Sequence, residues 1–335
     1  MHYNHIVIGA GSMGMAAGYF LAKEKRKTLV VDAFNPPHDK ASHYGETRLI
    51  RYAYGEGLEY VPFALRAGSL WQELTKKTNK HIFHQTGILN VAEKDSSFAD
   101  NVLASAQKFS LPLEVYSAAE VNEKWSGIQI PENFIGCFEP TSGVLKVEDC
   151  IAAYRELATK EGAEIRTNSR VVKIDAQPDL VTIMTSDGTF TADSAIISVG
   201  AWAGELLKQL NLKLPLNPIR KTFAWYNADE MLYKENLFPG FTFQVGTKSY
   251  YGFPSIDGAG LKIGRHDGGD TVNPDEERQP FGDEDAADLN QFLHTYMPYA
   301  GTLKNGKTCM YTMTPDEDFI IDLHPAYKNI AIAAG

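Results

Sequence analysis

One cysteine stands in a block whose residue types could carry covalent chemistry. Cys309 lies in KTCMYTMTPDEDFIID (307–322), between a basic, turn-prone stretch and an acidic turn, and the chain has only three cysteines. A thiolate formed beside cations is a strong nucleophile, whereas an isolated cysteine more often serves as a small buried hydrophobe. Cys137 and Cys150 lie in no comparable block, and three scattered cysteines form neither a disulfide framework nor a zinc site. We therefore expect no bound metal, and the role of Cys309 depends on the rest of the chain.

A glycine pattern at the N-terminus has the spacing of a dinucleotide site. Gly9, Gly11 and Gly14 form G-x-G-x-x-G after the strand-like run HIVIG and before a helix-like run, and the next strand-like run ends at Asp32. Such glycines allow a tight turn, a close approach of pyrophosphate to the backbone and close packing of helix on sheet. Asp32 can accept hydrogen bonds from ribose hydroxyls, which argues against a 2′-phosphate and therefore against NADP. The alternative is a glycine-rich turn without a ligand.

This fingerprint alone does not separate NAD from FAD. An NAD dehydrogenase usually places its catalytic domain after one compact Rossmann unit. Here a long polar loop, PPHDKASHYGETR (36–48), follows the second strand directly. That arrangement resembles flavoprotein oxidases.

Three basic residues could bind or stabilise negative charge. Arg48 and Arg51, in GETRLIR, are three apart, so on a helical turn they would share a face. A guanidinium binds a carboxylate through two parallel hydrogen bonds. Lys262, in LKIG, has apolar neighbours on a strand-like run. Taken alone, solvated arginines and a strand-edge lysine are the simpler interpretations.

The elements that position these residues alternate between α/β and β-rich parts. The N-terminal runs predict a strand–helix–strand unit, and periodicity predicts helices over 60–78 and 147–162. Alternation around an SDGT turn predicts a β-meander over 163–202, and 215–264 is also predicted as strands. Because α/β parts at both ends enclose β-rich insertions, we expect domains that are discontinuous in sequence. The helix over 60–78 is expected to place these residues near one face: Leu65, Leu70, Trp71 and Leu74.

Composition and charge exclude several classes of protein. The 335 residues carry 32 basic and 42 acidic side chains, a net charge of -10, with no long basic run. Nucleic acid and anionic membranes are therefore not expected as partners. No apolar run approaches the ~20 residues of a membrane span, and the N-terminus lacks a signal-peptide pattern. A cytoplasmic protein is expected.

Five blocks of the sequence are distinctive: GAGSMGMAAGYFLAK, PPHDKASHYGETRLIRYAYGEGLEYVP, YYGFPS, LKIGRHDGG and CMYTMTPDEDFIIDLHP. They resemble the monomeric sarcosine oxidase and N-methyl-L-tryptophan oxidase family, and the likeness covers essentially the whole chain. It implies an α/β + β fold: a glutathione-reductase-type FAD-binding domain with a Rossmann βαβ unit, plus a β-rich substrate domain. Family members are monomers that oxidise small secondary amino acids with O2, giving an imine that hydrolyses and H2O2.

The resemblance assigns roles to the cysteine and the two arginines. Cys309 matches the cysteine that holds FAD covalently through its 8α-methyl group, as an 8α-S-cysteinyl link. A thiolate can attack that electrophilic position once nearby cations help to form it. Arg48 matches a residue close to the flavin ring, and Arg51 matches the residue that binds the substrate carboxylate.

Other positions near the cofactor and substrate follow from the same resemblance. His43 and Thr47 match residues near the cofactor, although Tyr44 and Glu46 replace the commoner His and Asp of this loop. Val171 matches a contact to the adenine side.

On the substrate side, Lys262 matches a lysine near flavin N5 that is thought to activate O2. Tyr251 and His266 match residues that line the substrate pocket. The segment Gly200–Trp202 follows a strand that approaches the cofactor. The implied reaction needs no strong general base, because the cofactor carries the redox step while the protein positions the amine.

The choice of substrate within the family is less defined. FAWYNADE, FPGFTF, IGRHDGG and TPDEDFIID look more like N-methyltryptophan oxidase than sarcosine oxidase. Thr242 falls where sarcosine enzymes tend to carry a bulkier methionine, which fits a larger pocket. Two alternatives stay open: another amine or D-amino acid oxidase of the same fold, and an inactive fragment that only binds a partner.

The resemblance also predicts domain boundaries and a missing segment. Residues 1–80, 146–214 and 300–335 are expected in the FAD-binding domain, and 81–145 and 215–299 in the substrate domain. The sequence stops at NIAIAAG, where the family continues with a further segment and a last helix. We expect a chain without that segment to expose apolar surface and to lose stability and activity.

Overall fold

The chain begins with a strand–helix–strand unit whose strands are buried on both faces. In the computed structural model, which describes all 335 residues, β1 (His2–Ile8), α1 (Ser12–Lys23) and β2 (Thr28–Val31) follow one another, and β1 pairs with β2 in parallel. Val7 and Val30 pack in an apolar cluster with α1, and their chain neighbours pack in a second cluster on the opposite face of the sheet. The predicted βαβ unit is confirmed.

This unit forms the centre of an eight-stranded sheet. The strand order is β10-β11-β12-β1-β2-β9, with β20 paired to β12 and β19 paired to β20. β10, β11 and β12 are antiparallel neighbours, which confirms the predicted meander, and β12 then pairs with β1 in parallel. The further strands of this sheet are β9 (Glu164–Arg166), β10 (Val171–Gln177), β11 (Leu180–Thr185), β12 (Gly188–Ile197), β19 (Ile320–Leu323) and β20 (Ile330–Ala334).

A second, nine-stranded sheet is built from the middle and late parts of the chain. Its order is β17-β13-β16-β15-β14-β5-β7-β6, with β18 paired along β13. An aromatic-rich core lies between this sheet and two helices, α4 and α8. Its strands are β5 (Ile88–Glu93), β6 (Glu114–Ser117), β7 (Phe134–Glu139), β13 (Asn217–Tyr226), β14 (Gly240–Val245), β15 (Lys248–Phe253), β16 (Leu261–Arg265), β17 (Asp270–Thr271) and β18 (Leu303–Met313).

A small third sheet carries the two arginines. It consists of β3 (Thr47–Ile50), β8 (Gly143–Lys146) and β4 (Phe83–His84), in the order β3-β8-β4. Arg48 lies on β3 opposite Leu145, and Arg51 follows the strand end. Arg48 and Arg51 therefore do not share the face of a helical turn, because the pairing with β8, about a hundred residues away, imposes an extended backbone on this segment.

The helices cover the sheets, and those predicted over 60–78 and 147–162 are confirmed. Leu65 is an exception to the expected apolar face: it is 38% exposed, whereas Val61, Ala64, Gly68 and Leu74 are buried. None of the helices combines the length and hydrophobicity needed to cross a bilayer. The remaining helices are α2 (Val61–Thr78), α3 (Ser97–Phe109), α4 (Ala118–Lys124), α5 (Val147–Lys160), α6 (Ala203–Lys208), α7 (Glu230–Tyr233) and α8 (Asp283–Tyr296), with 3-10 turns at Leu58–Tyr60 and Gly200–Trp202.

The domain division stays a prediction, but one of its boundaries does not follow the sheets. The proposed FAD-binding part begins at residue 300, yet β18 pairs with β13 along its whole length and belongs to the second sheet. β19 and β20 do join the first sheet. A boundary between β18 and β19 fits the strand pairing better.

The closest backbone contact in the first unit gives a stability prediction. A Cβ on Gly14 would lie 1.7 Å from the carbonyl oxygen of Gly9, so Gly14→Ala must push α1 away from the turn. We expect a loss of about 1–3 kcal/mol in the free energy of unfolding, typical of overpacking, measured by urea denaturation. Gly204→Ala is the matched control, because its Cβ would meet only Leu216, at 3.8 Å. Equal stability of the two variants would contradict the tight packing.

Candidate active site

In the glycine-rich turn, the backbone is accessible at Gly11 and packed against other backbone atoms at Gly9 and Gly14. Gly9 has a φ of +91°, which favours glycine, and Gly14 packs against its carbonyl. A Cβ on Gly11 would meet only His43 Nδ1, at 3.8 Å. No side chain caps the N-terminus of α1. The backbone N–H groups at this end of α1 are therefore free to bind phosphate.

Asp32 is held at the end of β2 by the same turn. Its carboxylate accepts hydrogen bonds from the backbone N–H of Ala10 at 2.7 Å and of Phe34 at 2.8 Å. His38 Nε2 lies 3.4 Å from Asp32 Oδ1. The carboxylate is thus fixed beside the turn, where a ribose would follow a pyrophosphate bound at α1.

These residues open onto a cavity of about 1230 Å³. That volume exceeds the range of roughly 300–1,000 Å³ typical of pockets for drug-sized ligands, so it suits a dinucleotide. The walls also include Ser42, Trp202 and the end of β20. Among the residues predicted to bind the cofactor, the cavity is lined by Gly9, Gly11, Asp32, His43, Arg48, Val171 and the Gly200–Trp202 turn.

His43 has the features of an unoccupied hydrogen-bonding group in this cavity wall. Its side chain is buried, and neither ring nitrogen has a partner within the protein. Burial, with help from His38 and Arg48, lowers the pKa of His43 to about 4. A buried polar group without a partner is costly, so a neutral imidazole here fits a ligand that supplies the missing hydrogen bond.

The remaining predicted side chains form a cluster behind Arg48 rather than the cavity wall, and they range from the buried Lys262 and Cys309 to the exposed His266. Lys262 is 2% exposed, and its ammonium donates to Thr47 Oγ1 at 3.0 Å and to the carbonyl oxygen of Gly45. Its Nζ also lies 4.5 Å from the ring centroid of Phe253. Burial, reinforced by Arg48, holds the pKa of Lys262 well below its usual value.

Cys309 lies on the same face of the second sheet as Lys262. β13 pairs with both β16 and β18, so the side chains of Phe223 and Trp225 stand between the lysine and the cysteine. Burial raises the pKa of the Cys309 thiol, while Arg48 and Lys262 oppose that rise. The two cations therefore favour a thiolate in a site that otherwise disfavours it.

Arg48 joins the cavity to this cluster. Its guanidinium donates to the carbonyl oxygens of Thr47 at 2.9 Å, Ser42 at 2.5 Å and Tyr44 at 3.0 Å. It lines the cavity and also acts electrostatically on Lys262 and Cys309. The three carbonyl oxygens fix the guanidinium, so its positive charge stays close to both the cavity and the cluster that contains Lys262 and Cys309.

Arg51 already holds a carboxylate. Its Nη1 donates to Glu56 Oε2 at 2.8 Å, its Nη2 contacts Glu56 Oε1, and the guanidinium stacks 4.6 Å from the ring centroid of Tyr54. Burial would raise the pKa of the Glu56 carboxyl, but Arg51 more than offsets this and lowers it. The pair shows that a two-pronged carboxylate contact is geometrically available at Arg51.

Tyr251 and His266 complete the cluster, with Tyr311 between them. The rings of His266 and Tyr311 lie 5.7 Å apart, and burial followed by Tyr311 raises the pKa of Tyr251 well above its usual value. Burial lowers the pKa of His266, which also senses Glu56 and Arg51. Sequence reasoning missed Glu56 and Tyr311. Period-two alternation on β18 could have found Tyr311, which shares a strand face with Cys309.

A Rossmann-type turn, a dinucleotide-sized cavity and a second sheet bearing buried cations define a dinucleotide-dependent oxidoreductase. Comparison with known families makes this specific. The model of the family of FAD dependent oxidoreductases (DAO) matches residues 4–335, so the chain belongs to that family. The fold class and FAD dependence expected from the sequence are confirmed.

Curated relatives include both enzymes of the expected family. The monomeric sarcosine oxidase of Bacillus sp. (strain B-0618) is 51% identical and aligns with 100% of this chain and 87% of its own length. The N-methyl-L-tryptophan oxidase of Citrobacter koseri is 43% identical and aligns with 100% of this chain and 90% of its own length. The resemblance is confirmed, but the order of these two identities is the reverse of that expected from the sequence blocks.

Solved structures support the fold. The open form of NikD, described as an unusual amino acid oxidase essential for nikkomycin biosynthesis, has a TM-score of 0.86 at 20% identity, covering 100% of this chain and 89% of NikD. Glycine oxidase from Geobacillus kaustophilus has a TM-score of 0.80 at 19% identity, with coverage of 100% and 89%.

The buried, neutral His43 gives a pH prediction. Since its folded-state pKa of about 4 lies below its ordinary value of 6.5, the unfolded chain binds more protons between these values. The free energy of unfolding should therefore be unaffected by His43 above about pH 6.5 and fall as pH drops towards 4. Each pKa unit corresponds to about 1.4 kcal/mol, so the loss is on the order of 1–3 kcal/mol.

The measurement is urea denaturation at pH 7.5 and pH 5 for the parent and for His43→Gln. Other histidines titrate equally in both proteins, so the difference between the two pH dependences isolates His43. The variant should lose less stability on acidification. Identical pH dependences would contradict the burial of a neutral imidazole.

Proposed function

We propose that this chain is an FAD-dependent oxidase of N-methyl amino acids, producing the demethylated amino acid, formaldehyde and H2O2. The observation that supports it best is the cluster itself: Arg51, which forms a two-bond contact with a carboxylate, lies near the exposed His266, and Tyr251 and the buried Lys262 lie near Arg48. The curated relatives named sarcosine oxidase and N-methyl-L-tryptophan oxidase agree with this chemistry.

Arg51 is the proposed site for the substrate carboxylate. A guanidinium fork binds a carboxylate with two charge-assisted hydrogen bonds. Because Glu56 now occupies that fork, substrate binding has to displace Glu56 or share Arg51 with it. The side chain of Arg51 is 14% exposed and that of Glu56 is 42% exposed, so a ligand from solvent can reach the contact from the Glu56 side.

FAD, when bound, supplies the redox chemistry: it accepts two electrons and a hydrogen from the substrate carbon next to nitrogen and delivers the electrons to O2. Gly11 and the N-terminus of α1 would hold its pyrophosphate, Asp32 its ribose, and His43 and Arg48 would border the rest of the molecule. These residues hold and orient the cofactor without taking part in bond breaking.

Lys262 is the proposed residue for the oxygen step. A fixed cation in a water-poor site stabilises negative charge that develops on O2. Lys262 also borders a second cavity of about 230 Å³, which it shares with Thr47, Trp225 and Phe253. That cavity offers a small molecule a way to the lysine apart from the cofactor cavity.

Cys309 is the proposed attachment point of FAD. The thioether would form between Sγ and the 8α carbon, with loss of the thiol proton and one methyl hydrogen. The two electrons released would pass to O2, giving H2O2. Arg48 and Lys262 support this role because they favour the thiolate.

Thr242 supports a pocket that accepts a larger substrate than sarcosine. It lies on β14 opposite Tyr251 on β15, one of the residues assigned to the pocket. A small side chain at this position leaves room that a methionine would fill. We therefore include N-methyl-L-tryptophan beside sarcosine as a candidate substrate.

We also infer a monomer that works in the cytoplasm. The name of the sarcosine oxidase relatives supports the monomer. The three cysteines are free and buried, which suits a reducing compartment.

A substrate panel tests the function. Purified protein with FAD is assayed for H2O2 and formaldehyde with sarcosine, N-methyl-L-tryptophan, glycine and D-alanine. We expect equal amounts of both products from at least one N-methyl substrate. Peroxide from glycine or D-alanine alone would favour a different amine oxidase of this fold, and no turnover of any of the four would reject the proposal.

Removal of the guanidinium tests substrate recognition. Arg51→Gln loses a charged two-bond contact, so kcat/KM for the active N-methyl substrate should fall about 10²-fold or more, equivalent to about 3 kcal/mol. The control is Arg66→Gln, because Arg66 is an exposed arginine on α2. Equal kcat/KM values for Arg51→Gln and the parent would reject Arg51 as the carboxylate site.

The covalent link is tested by acid precipitation. Flavin fluorescence should stay with the precipitated parent protein and with Cys150→Ala, but leave in the supernatant from Cys309→Ser. Retention of flavin by Cys309→Ser would place the link elsewhere. Flavin in the supernatant from every protein would keep FAD but remove the covalent role of Cys309.

A further inference from the structure

Glu139 is a buried carboxylate at the end of β7 that the proposed chemistry does not use. It is 1% exposed, and no Lys, Arg or His forms a salt bridge with it. Its Oε2 accepts hydrogen bonds from the backbone N–H groups of Tyr52 at 2.7 Å and Ala53 at 2.9 Å, and from Ser142 Oγ at 2.9 Å. A buried charge requires such dense hydrogen bonding to be tolerated.

The two backbone donors belong to the turn that directly follows Arg51. The turn leaves β3 at Ile50. The Tyr52 and Ala53 N–H groups donate only to Glu139, which ties the turn to the second sheet. Glu139 is also close enough to raise the pKa of Arg51 electrostatically. Its effect is smaller than that of burial, which lowers this pKa, and than those of Glu56 and Tyr54, which raise it. The position of the Arg51 backbone therefore depends on Glu139.

The other oxygen of Glu139 connects to the pocket wall. Asn90 Nδ2 donates to Glu139 Oε1 at 2.8 Å, and Thr242 Oγ1 donates to Asn90 Oδ1 at 2.8 Å. Thr242 lies opposite Tyr251 in the β14–β15 pair. A continuous chain of buried hydrogen bonds thus runs from a pocket residue, through Asn90 and Glu139, to the backbone beside Arg51.

We propose that Glu139 is a positioning residue for substrate carboxylate recognition, and this rests on the proposed function of Arg51. It does not touch the substrate. It sets the distance between Arg51, which binds the carboxylate, and the Thr242–Tyr251 side of the pocket, which contacts the rest of the amino acid. The substrates it favours are α-amino acids with a free carboxylate, rather than simple amines.

Two substitutions of Glu139 separate the effect of its side-chain length from the effect of its charge. Glu139→Asp keeps the charge but withdraws the carboxylate by about 1.5 Å, the length of one C–C bond. The turn at 52–53 must then move or lose its acceptor. Glu139→Gln keeps the reach, and its oxygen can still accept from Tyr52, Ala53 and Ser142. Its amide would face Asn90, whose own amide can rotate by half a turn to present an oxygen.

The experiment measures carboxylate binding to the FAD-loaded protein by calorimetry, with acetate as the probe and acetamide as its uncharged analogue. We expect the parent to bind acetate more tightly than acetamide. Glu139→Asp should bind acetate about tenfold or more weakly, because small misplacements of a binding group cost this much, and Glu139→Gln should stay within about threefold. With an N-methyl amino acid, KM of Glu139→Asp should rise while kcat stays within a few-fold.

Glu235→Asp is the matched control. Glu235 also ties two segments together, through a 2.6 Å hydrogen bond to the buried His84, and the same shortening there should leave acetate binding unchanged. Thermal unfolding of all variants is measured in parallel. A general loss of stability would weaken acetate binding in the Glu235 variant as well and would overturn the proposal.

Further results for the Glu139 variants and for the parent would also test the positioning role of Glu139. Unchanged acetate binding by Glu139→Asp, or a loss in Glu139→Gln larger than in Glu139→Asp, would overturn positioning by Glu139, the second in favour of a purely electrostatic role. If Glu139→Asp does not fold, Glu139→Gln combined with Asn90→Asp keeps the hydrogen bonds that link Thr242, residue 90 and residue 139, with the charge moved to residue 90. It loses only the 3.4 Å bond from Asn90 to the carbonyl oxygen of Cys137, and it must bind acetate like the parent. A parent that does not distinguish acetate from acetamide would instead reject Arg51 as a carboxylate site, which is a failure of the proposed function.

Discussion

The burial of one ammonium group holds the two halves of the site together. Lys262 projects from the second sheet. Its hydrogen-bond acceptors are Gly45 O, in the loop that leads into β3, and Thr47 Oγ1, at the start of β3. Removing the ammonium from water is costly and is tolerated only because those acceptors and the surrounding aromatic faces replace its hydration. The second sheet is therefore fixed against the loop that carries His43 and Arg48.

The site concentrates positive charge within an acidic protein. The chain has a net charge of -10, yet Arg48, Arg51 and Lys262 lie within electrostatic reach of the site residues. Inside a water-poor region such charges act more strongly than on the surface. Arg48 and Lys262 favour a thiolate at Cys309, and Glu56 and Glu139 partly neutralise the positive charge of Arg51. In the proposed function the same cations attract the substrate carboxylate and the negative charge that develops on oxygen.

Local patterns were sufficient to predict the local parts of the fold. The βαβ unit follows from three glycines between β-branched runs, and the meander follows from period-two alternation, so both were predicted from sequence. The spacing of Arg48 and Arg51 could not show which local structure they adopt, because β3 is defined by its pairing with β8, a contact between distant segments that three residues cannot reveal. The predicted domain boundary at residue 300 likewise does not follow the sheets, since only the pairing of β18 with β13 shows that this strand lies in the second sheet.

The proposed functional residues also fall into two groups: some are recognisable from the sequence, and others only from the fold. The glycines and Asp32 can be recognised from spacing, and Cys309 only from the resemblance of its block to a known family. Nothing in the sequence marks Glu139, because a single glutamate at a strand end becomes informative only when the fold places backbone donors around it. Glu56 was missed for the same reason: its meaning lies in its contact with Arg51.

The central claim is that Arg51 binds the carboxylate of the amino acid, whereas Lys262 stabilises the negative charge that develops on O2. Rapid-mixing spectroscopy of Lys262→Met, with flavin absorbance as the signal, tests it by measuring the two half-reactions separately. Reduction of the bound flavin by an N-methyl amino acid without oxygen should stay within a few-fold of the parent. Reoxidation by O2 should slow by about 10²-fold or more, as expected for loss of a preorganised charge. A variant that is reduced slowly but reoxidised at the parental rate would contradict this division of roles.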